Sequence, residues 1–217
     1  MKKILILAAA ALLMCACTGS NTTSNTASDT TAVGNKFVKP LPAGCSVDSL
    51  TDCTIPALFS VSDIDWAAGT LQCKVYSMDL YDAVHITQLA QGDTLLFQGR
   101  SIIVSEVKTD DSGYVIVNGG IENDGADLMP FEGGTYRGIQ PDDHAVYTLL
   151  GTATLPLAAN LVMIDCGIEP TDPVDTISSG VKDYLLKLDN KDNFNELNTQ
   201  LLIQGGKVTQ ISRRWIP

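Results

Sequence analysis

From Pro56 onward the apolar residues fall in short runs rich in Val, Ile, Leu, Thr and Tyr, broken at close intervals by Gly, Asp and Asn. Runs of that kind between turn residues predict an all-β body with few or no helices. They place strands at 70–77, 83–88, 94–98, 101–108 and 114–118, and a second group at 146–157, 161–166, 181–188, 199–204 and 207–215. Gln98-Gly99-Arg100, Asp110-Asp111-Ser112-Gly113 and Gly205-Gly206 each lie between apolar runs. Glycine supplies the positive φ of tight hairpins, so three hairpins are predicted. The segment 82–118 reads as a small curled sheet or barrel. Residues 125–145, with Gly125, Pro130, Gly133, Gly134, Gly138 and Pro141, read as a long irregular link before a second sheet. The expected architecture over 37–217 is two packed antiparallel sheets, or a small barrel-like sheet plus a second sheet, with sub-parts 56–135 and 136–217. In the last strand Ile211 and Trp215 share a face. That face is expected to meet the core, with Arg213 laying its stem along the sheet edge and keeping its charge in water.

The amino terminus follows a different pattern. Met1, Lys2 and Lys3 precede an unbroken apolar run from Ile4 to Met14, and small Ala16 stands before Cys17. A basic start, a short apolar core and a small residue at the cut site are the pattern of a secretory signal peptide, and the run is too short to span a bilayer. With Cys17 after Ala16, the segment resembles bacterial lipoprotein signals, in which that cysteine is acylated and becomes the first residue of the mature chain. The resemblance implies a signal peptide over 1–16 and a lipid anchor at Cys17. Several acyl chains, each buried methylene contributing about 0.8 kcal/mol, would hold the membrane firmly. Residues 18–36, rich in Thr, Ser and Asn, lack the apolar surface needed to offset ordering entropy and read as a flexible tether. In Bacteroidetes-type lipoproteins, acidic residues just after the cysteine direct export to the surface. Thr18-Gly19-Ser20-Asn21 has none, which places the expected site at the outer membrane facing the periplasm, with the cell surface as the alternative.

Charge narrows the partners. Losing residues 1–16 removes two of the 14 Lys and Arg and no acid, leaving 12 basic residues against 25 acidic and a net charge of −13. The basic residues are scattered, so no nucleic-acid partner is expected. Anionic headgroups would repel such a body, leaving the acyl chains to hold the membrane.

The chemistry is sparse. Four cysteines remain in the body: Cys45, Cys53, Cys73 and Cys166. An extracytoplasmic site permits disulfides, and Cys45 with Cys53, at the ends of a short polar loop, and Cys73 with Cys166, in two apolar strands, are the candidate pairs. Each of the last two could equally be a small buried apolar group. Asp142, Asp143 and His144 are candidate metal ligands or acid–base groups. The same run after Pro141 also makes an ordinary turn, with His144 opening a strand. The other histidine, His85, falls on a predicted strand. Asp63 and Asp65 beside Trp66 resemble a carbohydrate-binding trio, although one Trp at a strand edge also serves as core. No phosphate-cradling glycine pattern or nucleophile elbow is present, and neither catalytic residues nor a cofactor are expected.

Gly92-Asp93-Thr94, Val117-Asn118-Gly119-Gly120, Asp142-Asp143-His144, Gly206-Lys207-Val208-Thr209 and Trp215-Ile216-Pro217 resemble segments of uncharacterised secreted and lipid-anchored proteins of gut anaerobes. The resemblance implies location and fold, and brings no activity with it. The expected function is a non-catalytic binding or structural module of the cell envelope with a protein or glycan partner. The alternatives are a metal-assisted hydrolase built on Asp142, Asp143 and His144, or an inhibitor of a basic protein. Cys17→Ala should abolish labelling by a fatty-acid analogue and release the protein from membranes, while Cys15→Ala should do neither. Undiminished labelling of Cys17→Ala would refute the assignment.

Overall fold

The computed structural model describes residues 35–166, 169–189 and 194–216. The expected signal peptide, Cys15, the expected acylation site Cys17 and the tether up to Gly34 lie outside the described residues. In chain order come β1 (Phe37–Val38), β2 (Cys53–Leu58), β3 (Ile64–Asp65) and β4 (Thr70–Met78). Next are β5 (Leu80–Asp82), α1 (Ala83–Thr87), β6 (Thr94–Phe97), β7 (Arg100–Ile103), β8 (Val107–Thr109), β9 (Val115–Val117), β10 (Ala126–Phe131) and β11 (Thr135–Ile139). The chain continues through β12 (Tyr147–Asp165), β13 (Asp175–Ile177), α2 (Val181–Lys187), β14 (Thr199–Gln204) and β15 (Lys207–Arg213). The protein is all-β, with two short helices among the described residues.

β12 carries the architecture. Its first half, Tyr147 to Pro156, pairs antiparallel with β4. After a register shift between Leu157 and Val162 its second half runs parallel to β15. β15 pairs with β14, β14 with β2, and the end of β2 with β4. The neighbours therefore lead back to β12, and five strands close into a barrel, with β3 and β13 paired outside the ring. Numbered along the chain, the five strands stand in the order 1-2-3-5-4-1, the third and fifth are parallel, and α2 lies between the third and fourth. That is the connectivity of an OB-type barrel. Gly151 marks the first irregularity in β12, where a Cβ would come 3.1 Å from Val47 Cγ2.

Everything from Asp79 to Val146 is inserted between β4 and β12. This unit holds a five-stranded sheet, β5-β11-β10-β9-β8, and a three-stranded sheet, β1-β6-β7. Tyr81, Leu95, Phe97, Val117, Leu128 and Val146 form its core, separate from the larger core of Ile55, Leu71, Val75, Met163, Leu201 and Ile211. The division thus falls at 79 and 146, not at 135/136. β1 comes from before the larger barrel and pairs with β6, so the inserted unit is also held by the chain's first strand.

All three expected hairpins are present: β6–β7, β8–β9 and β14–β15. Gln98-Gly99 and Gly205-Gly206 each have two successive positive φ values, as the tightest hairpin turns require. Several expectations are corrected. The strand expected at 83–88 is a helix over Ala83–Thr87, because the Asp82 side chain accepts hydrogen bonds from Val84 N and His85 N and caps a helical turn. The strand expected at 181–188 is also a helix, over Val181–Lys187. Val181 and Leu185 bury one face, with Tyr184 and Leu188 packed beside them, a helical period. The expected link at 125–145 holds β10 and β11, and Pro130 falls beyond the stretch of β10 that β9 pairs. The strand expected at 101–108 is two strands, and those expected at 146–157 and 161–166 are the two halves of β12.

The C-terminal expectation is corrected as well. β15 ends at Arg213, which shares the buried face with Ile211 and is only 4 % exposed. Its Nε donates to Asp165 Oδ1 at 2.8 Å and its Nη2 to Oδ2 at 2.6 Å, while Tyr184 OH donates to Oδ2 at 2.9 Å. The guanidinium stands 5.1 Å from the Phe194 ring, which stacks on Phe59 at 4.7 Å. Arg213 cannot keep its charge in water because β12 and β15 run side by side there, and burying it requires the two-pronged carboxylate contact. Asp165→Ala would leave that cation uncompensated and should cost about 3–5 kcal/mol in urea unfolding. Asp165→Leu combined with Arg213→Met should recover most of the loss. Equal losses in both variants would show that packing, not charge, dominates there.

Candidate functional site

The inserted unit meets the larger barrel at a backbone joint. Asp79 N donates to Val146 O at 3.0 Å, Gly138 N to Asp79 O at 2.9 Å and Val146 N to Gly138 O at 2.9 Å. The Asp79 carboxylate lies beneath, 1 % exposed, accepting from Gln98 N at 3.0 Å and Tyr81 OH at 3.4 Å. Burial pushes this carboxyl above the usual range, and the hydrogen bonds it accepts offset only part of that shift.

Beside the joint lies a cleft with two adjoining lobes, of about 580 and 520 Å³. Asp142, His144, Ala145, Tyr147 and Leu197 border both. Residues 140–144 form a tight turn, in which Asp143 N donates to Gln140 O and Asp143 adopts a φ of 62°. The turn sets Asp142 Oδ2 2.8 Å from His144 Nδ1. Desolvation works against the charged form of Asp142, yet the hydrogen bonds from the His144 backbone and ring, together with the charge of that ring, outweigh it and hold the carboxyl below the usual range. Arg137 donates through Nη2 to Asp143 O at 3.2 Å, with its guanidinium 5.3 Å from the Phe131 ring. Arg214 is pinned from the other wall, with Nε and Nη2 3.1 and 3.0 Å from Leu197 O. Burial raises the Tyr147 phenol, while Arg214, which hydrogen-bonds it, and Arg137 draw it back down.

The cleft uses the expected residues only in part. Asp142 and His144 come together, but Asp143 offers Arg137 its backbone carbonyl. Among the described residues no three His, Cys, Asp or Glu side chains are placed to hold a metal. His85 sits on α1 and borders neither lobe. Trp215, expected on the strand's core face, lies half-buried past the end of β15 as a wall of the cleft, its backbone N–H donating to Cys166 Sγ. Asp63 and Asp65 are occupied as loop caps: Asp63 accepts from Ser60 N at 2.7 Å, and Asp65 from Ala67 N and Ala68 N at 2.9 Å. Trp66 packs against the larger core with Lys182 Nζ 5.9 Å from its ring centre.

All four body cysteines are free thiols. Cys45 and Cys53 share a hydrogen bond, and burial with that neighbour pushes the Cys53 thiol up to about 12. Burial does the same to Cys73, which faces Ala153 in the first half of β12. Cys166 follows the last residue of that strand and donates to Arg213 O at 3.1 Å. The structure gives Cys73 and Cys166 separate surroundings.

Arg137, Tyr147, Gln200 and Arg214 were not legible as site residues. They come from β11, β12, β14 and the tail after β15, and only closure of the barrel brings them together.

The joint beneath the cleft gives a pH test. Because the folded carboxyl of Asp79 is raised, its stabilising contribution is full below the unfolded range and is lost as pH rises through the folded value. The melting temperature of Asp79→Asn relative to wild type should therefore climb from below about pH 4 towards neutrality. A difference that stays flat with pH would rule out a charge penalty at the joint.

No family model, curated protein or solved structure matches this chain. The cleft is therefore interpreted from its own chemistry, since an OB-type barrel alone implies no activity.

Proposed function

We propose that this chain is a lipid-anchored protein of the cell envelope, held through Cys17 at the outer membrane, whose body is a non-catalytic binding module with a saccharide-type ligand. The carrying observation is the make-up of the cleft. Arg137, Arg214 and Gln200 supply donors, Asp142 and the Gln140 amide supply acceptors, and Tyr147 and Trp215 supply aromatic surface. Hydroxyl groups both donate and accept, and sugar rings lay C–H faces against aromatic planes, so such a ligand suits a wall of mixed sign. The volume of each lobe lies within the range of small-ligand sites.

Neither lobe is bordered by a Ser, Thr or Cys among the described residues, so the Asp142–His144 pair has no aliphatic hydroxyl or thiol beside it. Calorimetric titration of the mature protein against panels of neutral oligosaccharides and peptides is the test. A saccharide should bind, Arg214→Ala or Trp215→Ala should weaken it about tenfold or more, equivalent to roughly 1.4 kcal/mol, and it should be recovered intact. Binding that ignores both substitutions, or hydrolysis of the bound sugar, would refute the reading.

A further inference from the structure

The small three-stranded sheet has an apolar outer face, and its place in the chain indicates what covers it. Val38, Leu95 and Ile102 lie in register across β1, β6 and β7 and are buried. The adjacent register row is Phe37, Thr94 and Ile103, and alternation turns it to the opposite face. Phe37 is 60 % and Ile103 71 % exposed, the latter the most exposed large apolar side chain among the described residues. Half-buried Leu96 lies on the same face, two residues along β6 from Thr94.

The charge of this sector runs against the rest of the molecule. Segments 35–44 and 94–105, which build the sheet, contain Lys36, Lys39 and Arg100 and not one Asp or Glu. In a mature chain with 25 acidic residues, that is a reversal of sign along these segments. Exposed Asp124 stands 3.7 Å from Arg100, so the positive charge left over in the sector rests on Lys36 and Lys39. The sheet also lies at the start of the body, with only residues 18–34 between the proposed anchor and Asn35.

We propose that the Phe37–Thr94–Ile103 face rests on the lipid headgroup surface and orients the body on the membrane. This rests on the Cys17 anchor of the proposed function. Tethering makes the second contact intramolecular, at an effective concentration of order millimolar for short linkers, so a small patch suffices where it would fail for a free protein. An aromatic and an aliphatic side chain with lysines beside them match an interface that is apolar below and anionic above. The acyl chains hold the protein; the patch selects which side faces the bilayer.

The test uses the full-length, lipidated protein in vesicles of phosphatidylethanolamine and phosphatidylglycerol containing bromine-labelled lipid, which quenches nearby tryptophan fluorescence. In a Trp66→Phe/Trp215→Phe background, single tryptophans are placed by Phe37→Trp, Ile103→Trp and, as a control at another exposed apolar position, Val174→Trp. Val174 is 68 % exposed. Quenching at positions 37 and 103 should exceed that at 174 by about twofold or more, which the millimolar tethering regime allows. Fatty-acid labelling of Cys17 with quenching no greater at 37 and 103 than at 174 would overturn the orienting face alone. Failure of Cys17 to take up label would remove the anchor, and the proposal with it.

Discussion

The structure depends on one strand with two sets of neighbours. β12 is long enough to pair with β4 along its first half and β15 along its second, and the change of partner closes the barrel. An open sheet would expose unpaired N–H and C=O groups at both edges, and closure removes that liability from the ring. Because β12 turns a corner to do so, its far end lies beside β15 in the interior. There Arg213 is neutralised by the residue that β12 delivers, Asp165. The ion pair is a consequence of the closure. It also ties the C-terminal segment to the wall of the cleft, since Arg214 and Trp215 follow directly.

What was legible in the sequence was local. The hairpins at Gln98-Gly99, Asp110–Gly113 and Gly205-Gly206 were readable because turn geometry restricts residue type within a few positions. The helices were misread for different reasons. In α1 the β-branched residues favoured a strand, and a single aspartate cap overrode them. In α2 the spacing of Val181, Tyr184, Leu185 and Leu188 carried a helical period inside an otherwise strand-like composition. β10 and β11 were hidden by glycines and a proline: Gly133 and Gly134 make the turn between them, Gly138 lies within β11, and Pro130 sits where β9 no longer pairs.

The site was legible only where it was contiguous. Asp142 and His144 are two residues apart, so a turn could pair them. The same turn sent the Asp143 carbonyl to Arg137, and that choice is invisible without the facing strand. Arg213 was misjudged because alternation gives the face but not what lies across from it. A buried arginine becomes readable only once the distant aspartate is known.

The inserted unit leaves and rejoins the barrel through backbone groups 3.0 Å apart. From the barrel's side, everything between Asp79 and Val146 therefore occupies the place of a tight turn, and the closure entropy of so long a connection is offset when the insert's own core forms. Folding order follows: an insert that condenses first brings β4 and β12 together already in register, shortening the effective loop that the larger sheet must close. β1 complicates simple excision. It belongs to the insert's core but precedes the barrel in the chain, so replacing 79–146 with a short turn would strand Phe37 and Val38 without a sheet to join. Relocating β1 within the chain to stand next to β6 would free the insert and the larger barrel to be built and studied as separate modules.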